Sequence, residues 1–79
     1  MNGLKNIEIA FFIRFLEHYG LHLQRTKGSH QTWAGKNTNR PIIIQTSVDP
    51  IPEFIIKNNI KVLGFTRDEF IAYCNKHLL

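Results

Sequence analysis

The spacing of hydrophobic positions switches from helical to alternating and back as the chain proceeds. Ile9, Phe12, Ile13, Leu16 and Tyr19 recur at i, i+3, i+4 and i+7, the period of one helical face. This spacing predicts a helix from about Asn6 to Tyr19, with Asn6 as N-cap, Glu8 in the first turn and Gly20 as the left-handed residue that ends it. Phe11 and Phe15 widen the apolar stripe, so the helix is expected to be largely buried on one side.

From Leu21 the period is two. In "LHLQRTK", Leu21 and Leu23 alternate with His22 and Gln24, which predicts a half-buried strand. "GS" interrupts the alternation and "HQTWA" resumes it. "GKNTNRP" is a polar turn in which Gly35, Asn37 and Asn39 can take unusual backbone angles. "PIIIQT" is a third strand, with Pro41 at the first position, where its missing N–H is tolerated. Three short runs so closely spaced predict an antiparallel meander packed on the first helix.

After "SVDPIP" the helical period returns. Phe54, Ile55, Ile56, Ile60 and Leu63 predict a helix from about Pro52 to Leu63, stopped by Gly64. Thr66 with Glu69 three residues later is a capping box, and Phe65 with Phe70 can staple across it. A last helix from about Arg67 to His77 then buries Phe70, Ile71 and either Cys74 or Tyr73. The expected architecture is a single α+β domain over residues 1–79, in the order αβββαα, with a three-stranded antiparallel sheet against helices.

Charge adds a direction to this picture. Ten Lys and Arg against six Asp and Glu give a net charge of +4, a balance that in a small domain attracts polyanions such as nucleic acid. Arg25, Lys27, Lys36 and Arg40 lie in a stretch without an acid between them. The only cysteine, Cys74, allows no internal disulfide and reads as a small buried hydrophobe suited to a reducing compartment. The apolar N-terminal run carries Glu8, Arg14 and Glu17, is too short to span a bilayer and does not read as a targeting peptide. A cytoplasmic protein with no membrane partner and no cofactor is expected. His18 and His22 have a spacing that metals favour, but Gly20 divides them between two elements and no further ligands complete a set, so no metal site is expected.

The remaining chemistry is "KGSH", residues 27–30. Gly28 permits a tight turn or bulge and lets an anion approach the backbone. Histidine as a residue type, with an unperturbed pKa of about 6.5, can both take and return a proton near neutrality, which makes His30 the candidate acid–base group. RNA carries its own nucleophile, the 2′-hydroxyl, so a base beside that hydroxyl and cations beside the phosphate suffice to cut it without a metal. By spacing alone, Gly-Ser-His is also what the polar start of any strand looks like. Trp33 is a candidate for stacking a base and equally a candidate for the core.

Taken together these residues resemble the HicA family, mRNA interferases of toxin–antitoxin systems. The resemblance covers nearly the whole chain: a helix ending "HYG", the strand "LHLQRTKGSH" running on to Trp33, the strand "PIIIQ", and "IIKNNIKVLGFTRDEF". Gly28, Ser29 and His30 after Lys27 match the family motif, a basic residue followed by Gly-Ser-His. The resemblance implies a double-stranded-RNA-binding-domain-like fold, endoribonuclease activity on mRNA with His30 as the catalytic residue, and a HicB-type antitoxin as partner. In that reading Gly28 and Ser29 shape the turn, and Ser29 is a candidate phosphate ligand. Lys27 and Arg25 hold the phosphate, Lys36 and Arg40 track the RNA backbone, and Trp33 stacks a base. Many relatives place a histidine after the third strand; this chain has "QTSVDPIP" there. Protonated His30, Lys27 and solvent remain open as the general acid. A non-catalytic RNA-binding module using the same basic hairpin is the alternative reading.

Overall fold

Three local stop and start signals read in the sequence are built as expected. At the end of α1 (Ile9–His18), Gly20 lies at φ +83; its N–H donates to the Glu17 carbonyl at 3.0 Å, and the Leu21 N–H donates to Leu16 at 3.0 Å. This is the paired-bond C-terminal motif that a left-handed residue permits. Gly64 (φ +84) repeats it after α2 (Glu53–Val62), with bonds from Gly64 to Lys61 and from Phe65 to Ile60. The capping box opens α3 (Arg67–His77): the Thr66 N–H donates to Glu69 Oε1 at 2.8 Å, and the Glu69 N–H donates to Thr66 Oγ1 at 3.1 Å. Such caps stabilise a helix by about 1 kcal/mol each.

Between these helices run β1 (His22–Lys27), β2 (His30–Ala34) and β3 (Ile42–Gln45), forming one open antiparallel sheet in the order β1-β2-β3. The computed structural model describes residues 4–36, 38 and 40–77. The protein is thus a small α+β fold in the order αβββαα. Asn37 and Asn39, expected to take unusual backbone angles, lie outside the described residues. No helix among the described residues is long and apolar enough to cross a membrane.

The helices and one sheet face enclose a single core. Phe12, Phe15 and Leu16 of α1 are fully buried, together with Ile42 and Ile44 of β3, Ile56 and Ile60 of α2, and Phe70 and Cys74 of α3. Burying each such aliphatic or aromatic side chain contributes about 1.5–3 kcal/mol. Phe15 is the hub, with Phe65 at 5.4 Å and Phe70 at 4.8 Å, both edge-on, so the two residues expected to staple α3 close on the first helix.

Three expectations need correction. The first helix begins at Ile9, not beside Asn6, which sits in a left-handed conformation (φ 60). Ile7 instead bridges Ile51, and the Ile9 N–H is capped by Asp49 Oδ1 at 3.1 Å, a group 40 residues away. Strand β1 is exposed along its whole length, not half-buried, whereas the other edge strand, β3, alternates buried and exposed because its inner face lies against the core; even Leu23, on the packed face, is 44% exposed. Phe54, counted in the apolar stripe of α2, is 64% exposed, since Ile56 and Ile60 are the α2 side chains that enter the core.

Candidate functional site

The expected interruption at Gly28–Ser29 is a two-residue hairpin turn. Lys27 and His30 are cross-strand partners, and only Gly28 of the two turn residues has positive φ (+59). This is the signature of a type II′ turn, which takes glycine at its first central position. An added Cβ at Gly28 meets nothing within 4 Å, so the backbone angle alone demands glycine. The turn is tied to the third strand: the Ser29 carbonyl accepts from the Thr46 N–H at 2.7 Å and from Thr46 Oγ1 at 3.1 Å.

The bulge lies elsewhere, at Gln24. Leu23 pairs with Trp33 and Arg25 pairs with Thr32, so one β1 residue is unmatched. Strict alternation would leave Leu23, Arg25 and Lys27 on one face. The extra residue breaks that parity: Leu23 shares the inner face with Trp33, while Arg25 and Lys27 turn to the open face. Cross-strand partners share a face, so the open face carries two rows across the sheet, Lys27–His30–Gln45 and Arg25–Thr32–Ile43. Neighbouring strands stand about 5 Å apart. The bulge therefore sets two exposed cations beside the exposed His30.

Trp33 answers its own alternative. It is 5% exposed, among the core residues, and its indole N–H donates to Gln31 Oε1 at 3.1 Å on the same inner face. It stands three positions along the strand from His30, so when one faces solvent the other faces the core. The reading of Trp33 as a base-stacking group is corrected accordingly.

Lys36 and Arg40 are not brought to His30. They lie in the β2–β3 loop beyond the far end of β2, which is itself about 13 Å from His30 along the strand at 3.3 Å per residue. Lys36 lines a cleft with Tyr19, His22 and Leu63, and Arg40 lines another with Asn58 and Lys61. There Gly35 serves close approach: a Cβ on it would stand 3.0 Å from the Gly20 carbonyl oxygen. His18 ends α1 and His22 opens β1, on separate elements as the sequence implied.

Next to His30 stands Gln45, whose Nε2 donates to Ser47 Oγ at 3.1 Å. A groove of about 400 Å³ opens from His30 between β3 and α2, lined by Ile43, Gln45, Val48, Phe54, Asn58 and Asn59 among others. Ile43, Val48 and Phe54 are its exposed hydrophobic residues, and the Asn59 amide nitrogen is buried without a hydrogen-bond partner among the described residues. Sequence reading did not find this groove. The parity of "IIIQ" carried part of the signal, since Ile43 and Gln45 must face away from Ile42 and Ile44; the exposure of Phe54 is set only by how α2 docks.

Two titratable groups have clear shifts, and both lie away from His30. Burial pushes the Cys74 thiol up to about 11. Burial and the neighbouring Tyr19 raise the Tyr73 phenol above its ordinary value. Cys74 is therefore a neutral core group near pH 7. No family model, curated protein or solved structure matches the chain.

Proposed function

We propose that the protein is an endoribonuclease of the HicA type, cleaving mRNA at the open sheet face and held in check by a HicB-type antitoxin that covers it. The observation that carries this reading is the row formed by Lys27 and His30, with Arg25 on the same face, at a glycine turn an RNA strand can approach closely. His30 takes the proton of a ribose 2′-hydroxyl, and the resulting oxyanion attacks the adjacent phosphorus. The P–O5′ bond breaks, leaving a 2′,3′-cyclic phosphate on one fragment and a 5′-hydroxyl on the other. The leaving oxygen takes its proton from protonated His30, Lys27 or solvent. Lys27 and Arg25 hold the phosphate and offset the charge that builds on its oxygens.

His30→Ala tests the reading. Cleavage of mRNA and growth arrest are expected to vanish while RNA binding and the fold persist. Substituting a single 2′-deoxy nucleotide at the cut site is expected to block cleavage there in the wild-type protein. A His30→Ala variant that cleaves as well as its parent overturns the assignment.

One observation favours the second reading, a non-catalytic RNA-binding module on the same surface. Among the described residues no side-chain hydrogen bond involves the His30 ring. Catalytic hydrogen bonds are often loose before substrate arrives, which keeps catalysis ahead. The module reading is separated by RNA that is bound but returned intact.

A further inference from the structure

Resting on the reading that this chain cleaves RNA, we propose that the groove between β3 and α2 is a nucleobase pocket. It seats one unpaired base next to the scissile phosphate, stacked on Phe54 and met at its edges by the amides of Gln45, Asn58 and Asn59.

Six observations converge on this occupant. The groove starts at His30 itself, so a base attached to a ribose held there has only one strand spacing to cross. Its volume of about 400 Å³ falls in the range of small-ligand sites, roughly 300–1,000 Å³. Its lining combines apolar surface from Ile43, Val48 and Phe54 with amide groups that both donate and accept, the combination that recognises a flat heteroaromatic ring with polar edges. The buried Asn59 amide nitrogen has no hydrogen-bond partner among the described residues, and Asn59 lines the groove, so its amide is unspent for an acceptor seated there. On the open sheet face, Lys27 and Arg25 supply the positive charge for the phosphate that must accompany such a base. With Trp33 committed to the core, Phe54 is the exposed aromatic ring that lines this groove.

The test uses the full chain and a short single-stranded RNA, fluorescein-labelled and 2′-O-methylated throughout so that it cannot be cut. Phe54→Ala is expected to weaken binding about tenfold, within the range for loss of one stacked base, and to flatten base preference when cut sites are mapped on unmodified RNA. Phe54→Trp is expected to retain both. Asn59→Ala is expected to change which base is preferred more than it changes affinity. A scan of single abasic positions through the same RNA, on wild-type protein, is expected to find one position beside the cut site whose loss mimics Phe54→Ala, and it decides the matter even where a variant fails to fold. Equal affinity and equal cut patterns for Phe54→Ala and wild type, with no sensitive abasic position, overturn the pocket while leaving the nuclease reading intact. So does a Phe54→Ala protein that handles RNA normally but no longer binds its antitoxin, since the groove would then serve a protein. Wild-type protein that neither binds nor cuts RNA brings down the nuclease reading itself, and the pocket with it.

Discussion

The two ends of β2 differ in kind. At one end a two-residue glycine turn closes the hairpin tightly and places Lys27 beside His30, with Arg25 on the same face. At the other, the longer β2–β3 loop carries Lys36 and Arg40 beside separate clefts. In the sequence the four cations form one acid-free run; in the fold they form two groups at opposite ends of the sheet. A charge run is therefore not a charge patch, and only half of this one stands with the histidine.

The sharpest way to break the contrast is to exchange roles across the sheet. Trp33→Ala is expected to destabilise the protein by about 3–5 kcal/mol in urea denaturation, the cost of emptying a core aromatic site. His30→Ala, on the opposite face, is expected to leave stability within about 0.5 kcal/mol but to slow RNA cleavage roughly 10²–10⁴-fold. Similar stability losses from both would mean that His30 is a structural group.

Comparing the cations tests the two ends directly. Lys27→Ala is expected to reduce cleavage about tenfold or more, as loss of a charge-assisted phosphate contact does. Arg40→Ala is expected to change it less than about threefold, in keeping with a surface position away from the chemistry. Equal effects in kinetic assays would instead place both ends on the RNA path.

A smaller effect belongs to the turn. Gly28→Ala forces a side chain into a left-handed angle with no steric neighbour to blame, for an expected loss of about 1–2 kcal/mol in denaturation midpoints. Cleavage is expected to fall with it, because the Lys27–His30 pairing depends on that turn.

The gentlest probe lies on the buried side. The folded Cys74 thiol keeps its proton up to about 11, whereas the unfolded one ionises from an ordinary value of 9.0. The folded state thus holds more protons across that interval. Its contribution to stability is complete below about 9 and declines as pH rises toward 11. Tyr73, raised in the same direction, adds to the same alkaline loss. Cys74→Ala is expected to shallow the decline, read from urea midpoints across the window.

What the sequence disclosed follows the range of the interactions involved. Gly20, Gly64 and the Thr66–Glu69 box were legible because each acts within a few residues of itself. Asn6 misled because the group that caps α1 is Asp49, and nothing in the first ten residues announces it. The Gln24 bulge carries no glycine or proline to mark it, although it decides which way Arg25 and Lys27 face. The exposure of Phe54, and with it the groove, depends on how α2 lies against β3, a tertiary fact without a local signature.

The exposed edge of β1 has one more consequence. An unpaired edge strand is a template for another chain, and proteins discourage such pairing with charges and bulges. Arg25, Lys27 and the irregularity at Gln24 guard this edge, and the two cations also share the open face with His30. Variants that strip these cations to probe catalysis also unlock the edge for self-association. Their lost activity can be assigned to chemistry only when sedimentation shows that the protein is still monodisperse.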